Sequence, residues 1–185
     1  MSKQNKADQR KMKIVKIVLG VVVALSIAFF AIGIFVQELN YTSKVTIDKP
    51  LSEVFKLFNN DEKMSKWIPE IKSIKSVLKT EEIKGSTFLV TVNNQGNEVV
   101  LEEKVLDFID NKKVRLLFKG GGMLKVGGYS FETLSDGMTQ LTLESNVKSD
   151  NFILGCLLPL MKGKLADQDQ QYLNNFKKFA ESSND

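Results

Sequence analysis

Histidine is missing from all 185 residues, and cysteine occurs once. Without histidine there is no Ser-His or Cys-His nucleophile pair, and the usual zinc sites lose their commonest ligand. Acid–base chemistry would fall to carboxylates or tyrosine. The lone Cys156 has no intramolecular disulfide partner, so cysteine usage is silent about the redox compartment. A surplus of positive charge is also missing from most of the chain, despite a formal net charge of +4. Residues 1–16 hold six of the 26 basic residues and one of the 22 acidic ones, which leaves 20 basic against 21 acidic in the remainder. The basic character belongs to a short tail. A nucleic-acid partner would need a basic face on the folded part, so that class is set aside.

What the chain does have is one long apolar run. Ile17 to Val36 carries no charge, and Ser26 is its only hydroxyl. Twenty residues at about 1.5 Å each span roughly 30 Å, the thickness of a bilayer's hydrocarbon core. Six basic residues precede the run, whereas Lys44 and Lys49 are the only ones soon after it. The positive-inside rule then predicts a cytoplasmic N-terminus and a domain on the outer, periplasmic or extracellular, side. The alternative is a cleaved signal peptide and a secreted domain. Ile34-Phe35-Val36 directly after the small residues at 31–33, and a run longer than the usual 7–15-residue signal core, favour an uncleaved anchor.

The reading along the chain is a basic cytoplasmic tail (1–16), a transmembrane helix (17–36), a polar stem (37–44), one domain (45–181) and a tail (182–185). Val45 and Ile47 alternate with polar neighbours as a half-buried strand does. Pro50 opens a helix whose apolar face is Leu51, Val54, Phe55 and Phe58. Asp61 is positioned to cap a second short helix ending near Trp67. From Ile71 to Val147 strand follows strand, with turns at Asn93–Asn97, Asp110-Asn111, Gly120–Gly122 and Ser135–Gly137. Short connections predict antiparallel neighbours. A terminal helix carries Leu165, Asp169, Tyr172, Leu173, Phe176 and Phe179 on one stripe. Gly155 and Pro159 predict that the preceding apolar stretch, Phe152 to Met161, is not regular helix. The sum is an α+β chain: a curved antiparallel sheet of six to seven strands around a long C-terminal helix.

This order resembles the START-like (SRPBCC, helix-grip) superfamily, in its polyketide cyclase/dehydrase-type branch. The resembling residues are Val45 to Phe55, then Asp61-Glu62-Lys63 leading to Trp67-Ile68-Pro69-Glu70-Ile71. Tyr129 to Leu134, Gly137 to Thr142, and Leu173 to Lys178 complete the likeness. The resemblance covers roughly residues 43–181. It implies a cavity between sheet and long helix for a lipid, sterol, polyketide or other apolar molecule, and it implies no single chemistry. Members of this kind usually lack such an anchor.

Candidate lining residues are Phe55, Trp67, Phe88 and Leu101, with Leu116, Phe131 and Leu143 from later strands. Leu157, Met161, Tyr172 and Phe176 join them from the C-terminal segment. Each also suits plain core packing. Glu103 shares the parity of Val99, Leu101 and Val105, so an unbroken strand aims it inward, where an unpaired carboxylate is costly. A bulge turning it to solvent is the reading that carboxylates usually satisfy. Asp169 meets the same choice and is expected to face solvent. Phe152 to Met161 is either an apolar lid, a membrane-touching surface, or a lead-in to the helix. Gly120–Gly122 and Gly127-Gly128 lack a following Gly-Lys-Ser/Thr and read as a turn and a bulge, not a phosphate site. The chain carries no cofactor motif. The expected function is binding of an apolar or amphipathic molecule at a membrane. A filled interaction module, or a cyclase or hydratase using a buried carboxylate with Tyr172, are the alternatives.

Overall fold

A computed structural model describes residues 2–36 and 38–183. Gln37 of the expected stem and Asn184 and Asp185 of the expected tail lie outside the described residues, as do the side chains of residues 1–8. Helix α1 (Ser2–Phe35) takes in the basic segment as well as the apolar run, because Lys, Arg, Gln and Met are all good helix formers. Its stretch Gln9–Phe35 packs none of its apolar window inside the protein, and by length and composition is sufficient to cross a bilayer.

Strand β1 (Glu38–Ile47) starts seven residues earlier than the alternation of Val45 and Ile47 suggests. The expected stem is therefore strand wherever it is described. It pairs with β7 (Thr139–Ser149) from Glu38 opposite Lys148 to Ile47 opposite Thr139. The signal was muted because inward-facing Ser43 interrupts the apolar series. Only two residues separate the end of α1 from the start of β1.

Helix α2 (Leu51–Phe58) buries Val54, Phe55 and Phe58 as the spacing predicts, and Leu57 as well. The next piece is a 3₁₀ helix, Asp61–Lys66, and its cap is Asn60 rather than Asp61. The Asn60 side chain accepts from the backbone N–H of Glu62 and Lys63. Then follow β2 (Ile71–Leu78), β3 (Thr87–Asn94), β4 (Asn97–Ile109), β5 (Lys113–Gly120), β6 (Met123–Thr133) and β7. All pairings are antiparallel, in the order β1-β7-β6-β5-β4-β3-β2. The hairpin between β5 and β6 turns on Gly121 and Gly122, both at positive φ, which residues with a Cβ seldom adopt. No bulge occurs at Gly127-Gly128, contrary to expectation: the register with β5 runs through unbroken. Gly127 is small because a Cβ there would press on the Tyr129 ring and on Leu143, at 3.2 and 3.3 Å.

Helix α3 (Phe152–Ser182) corrects a second expectation: it is regular from Phe152 onward and includes Pro159. Asn151 caps it through a bond from the Leu154 N–H. Proline there removes one helical hydrogen bond and crowds the carbonyl four residues back. That residue is Gly155. Tertiary packing outweighs the cost, since Leu158 is fully buried against Leu39 and Val147, and Cys156 is fully buried too.

The main core lies between α3, α2 and the sheet. Phe58 sits at its centre, with ring centroids 4.7 Å from Tyr129, 5.3 Å from Phe131, and 5.5 Å from both Trp67 and Phe176. These rings fill the space under the second half of α3. Asn175 ties α3 to the 3₁₀ helix by donating to the Trp67 carbonyl at 3.2 Å.

Candidate functional site

An open space lies to one side of that aromatic core. Between the short helices and strands β3, β4 and β5 there is a cavity of about 250 Å³. Phe58 and Met64 form one wall, and Phe88, Val105, Val114 and Leu116 the other. Asp61, Lys79 and Ile83 form an exposed rim. The β2–β3 connection that supplies Lys79 and Ile83 is tied down internally. Thr80 donates from its hydroxyl to the Lys84 carbonyl at 2.8 Å and from its N–H to Ser86 Oγ at 3.0 Å. Ile83 holds a φ of 64°, a costly conformation for a β-branched residue. The strand pairing puts this rim at the ends of the strands opposite to Glu38, Gly120 and Ser149, the ends nearest α1.

One charged side chain points into the apolar part of this space. Glu103 is 6% exposed, and its Oε2 finds no hydrogen-bond partner. The strand is unbroken through it, so parity places it inward with Leu101 and Val105. A bulge does exist in β4, but it falls between Val105 and Asp107, too late to turn Glu103 to solvent. The inward reading is correct and the solvent-facing one is not. Burial, and secondarily the charge of Asp61, push the Glu103 carboxyl from 4.5 up to about 7. Burial also raises Asp61, against an opposing pull from Lys79. Near neutral pH, Glu103 thus divides between an acid that donates a hydrogen bond and an anion that accepts them.

The expected lining residues separate into three groups. Phe88, Glu103 and Leu116 line the cavity. Phe55, Trp67, Phe131, Leu143 and Phe176 are packed into the core. Leu101 is half-buried, with its Cδ2 set against Gly120 across the sheet. Leu157 is exposed and Met161 half-buried on the first half of α3, and Tyr172 is half-buried beside the core, away from the cavity. Tyr172 accepts a hydrogen bond from Gln168 at 2.7 Å, and burial with the nearby Glu70 charge raises its pKa. Tyr172 and Glu103 do not share the cavity's wall. Phe58, Met64, Val105 and Val114 were missed as lining. Val105 was available from the same parity that aimed Glu103 inward.

Neither a family model nor a curated protein matches this sequence. Solved structures do. A START superfamily protein from Mycobacterium smegmatis aligns with a TM-score of 0.66 at 17% identity, over 77% of this chain and 97% of that one. TTHA0849 from Thermus thermophilus aligns at 0.62 and 18%, over 78% and 100%. Ara h 8.0201 aligns at 0.62 and 15%, over 79% and 99%. The chain has the START-like helix-grip fold. At these identities the likeness concerns the fold alone.

Within this START-like frame, one further buried polar group stands apart from the cavity. Asp169, expected at the surface, is 2% exposed under α3. Lys125 pairs with its Oδ1, and Ser145 donates to its Oδ2 at 2.6 Å. The carboxylate is tolerated there because both oxygens are satisfied. Together with Tyr41 these groups lie between the main core and the smaller cluster of Leu39, Val147 and Leu158. The arrangement holds α3 in register on β6 and β7, and it opens on no described cavity.

Proposed function

We propose that this protein is a membrane-anchored binder of a small apolar or amphipathic molecule, held in the cavity beside Glu103. One observation carries the reading: an apolar cavity of about 250 Å³ receives a single buried carboxyl with an unsatisfied oxygen. A buried polar atom without a partner is costly, and a ligand with one hydrogen-bonding group would satisfy it. The apolar walls supply affinity at about 25 cal/mol per Å² removed from water. The size suits one short chain or ring system, just below the roughly 300 Å³ at which ordinary ligand pockets begin. Solved START-like folds, among them the protein from Mycobacterium smegmatis, support the fold part of this reading. Helix α1 serves as the anchor, with the basic tail in the cytoplasm and the domain on the outer side.

The test is solvent extraction of the full chain, purified in mild detergent, followed by mass spectrometry. An apolar molecule should copurify with the wild type and be lost from Val105→Phe, which fills the cavity. Saturable binding of the fluorescent fatty acid cis-parinaric acid should follow the same pattern. Absence of both copurification and saturable binding would overturn the proposal. A second reading, a packed interaction module, draws on the aromatic rings that fill the space under α3. It predicts that Val105→Phe changes nothing but stability.

A further inference from the structure

Helix α3 begins with an apolar face that the rest of the fold leaves uncovered. Phe152, Ile153 and Leu160 are 53%, 60% and 71% exposed, and Leu157 lies exposed among them. Leu158, on the opposite side of the same turns, is fully buried, and so is Cys156, which Gly33 of α1 covers within the apolar face itself. One edge of the apolar face rests on the last turns of α1. The Phe152 ring stacks on Phe30, with centroids 6.0 Å apart and planes 7° from parallel. Gly33 faces Cys156 so closely that a Cβ on it would overlap the Sγ. Glycine at that position is what lets the two helices meet.

We infer that residues 152–160 of α3 are seated in the lipid bilayer, as an interfacial wedge alongside α1. The inference rests on the reading of α1 as a membrane span. Phe30 lies five residues before the end of α1 at Phe35. At 1.5 Å per residue, the Phe152 ring stacked on it sits roughly 7 Å inward of the helix end. An interfacial helix buries its apolar face by about 5–10 Å, so the depth agrees. Phe30, the ring that stacks on Phe152, is itself exposed, as are Ile34 and Phe35 farther along α1. With α1 in a bilayer, what surrounds the Phe30 ring also meets the Phe152 ring stacked on it, which favours lipid over a soluble partner. Charge points the same way. Residues 151–166 contain no Asp or Glu, and Lys162 and Lys164 follow the wedge exposed, suited to anionic headgroups. The acidic groups nearest in sequence to this junction are Asp150 and Glu38, and Glu38 is paired with Lys148 at 2.8 Å.

The experiment uses the full chain in vesicles of phosphatidylcholine and phosphatidylglycerol, some carrying brominated acyl chains that quench tryptophan. In a Trp67→Phe background, a single tryptophan is introduced by Leu160→Trp, by Ile27→Trp inside α1, or by Val100→Trp on the exposed sheet. Leu160→Trp and Ile27→Trp should both lose at least half of their emission, and Val100→Trp almost none. Quenching of Ile27→Trp with Leu160→Trp as bright as Val100→Trp would overturn the wedge and leave the anchor standing. No quenching at Ile27→Trp would overturn both. The unaltered chain provides an arm free of folding effects: acyl-chain diazirine lipids should crosslink to peptides covering residues 152–161 as well as to α1. Crosslinks confined to α1 would overturn the wedge.

Discussion

Replacing Glu103 by glutamine should make the protein more stable at pH 8 and no different at pH 4.5. In the unfolded chain Glu103 ionises near 4.5, and in the folded one at about 7. Below 4.5 both states carry the proton, and the group has no influence. Between the two values the unfolded chain releases the proton while the folded one keeps it, so folding weakens as pH rises. Above about 7 the whole penalty is present. At roughly 1.4 kcal/mol for each tenfold change, the separation amounts to about 3 kcal/mol. Water entering the neighbouring cavity will reduce that toward 2 kcal/mol, on the order of a buried polar group's desolvation cost. Trp67 is the chain's only tryptophan and is 2% exposed, so its fluorescence reports unfolding directly. Urea titrations of the full chain in detergent, at steps from pH 4.5 to 8, would give Glu103→Gln minus wild type at each pH. Taking the difference cancels the titrating groups that Glu103 does not influence, and leaves Glu103 with its smaller coupling to Asp61. A difference that stays flat across this range would refute the placement of Glu103 in an apolar environment.

Asp169→Leu should cost about 3 kcal/mol, because it leaves Lys125 beneath α3 without its counter-charge. Adding Lys125→Met should recover most of that loss, as read by the same urea titration; a double variant no better than the single would show the pair is not the source. Protease added outside intact cells should digest the domain and spare residues 1–16. Protection of the domain until the cells are opened would reverse the proposed orientation.

Much of this fold is visible in residue spacing. The i, i+3, i+4, i+7 pattern found α2, alternation found most of the sheet, and the uncharged run found α1 to within a few residues at its end. What spacing missed, contacts distant in sequence decide. Ser43 hides the first half of β1, and only its pairing with β7 reveals it. Pro159 and Gly155 speak against helix locally, yet Leu158 and Cys156 have partners on β1, β7 and α1 that overrule them. Glu103 and Asp169 show the opposite failure. Strand parity aimed Glu103 inward and helical spacing put Asp169 on the inward stripe, and the general rarity of buried carboxylates was the wrong guide. Asp169 is explained by Lys125 and Ser145, partners 44 and 24 residues away. The cavity itself was expected beneath α3. It lies beside the short helices because Phe58, Trp67 and Phe176 occupy the expected place.

The two-residue connection between Phe35 and Glu38 leaves the domain almost no slack. With α1 in a bilayer, β1 stands up from its surface, and ten residues at about 3.3 Å put the far strand ends at most roughly 33 Å away. Lys79 and Ile83 lie in the β2–β3 connection, which leaves those strands on the side away from Gly120 and Ser149. On the proposed reading such a tether sets an altitude rather than a doorway: a molecule drawn from the leaflet would have to leave the membrane before it reached Glu103.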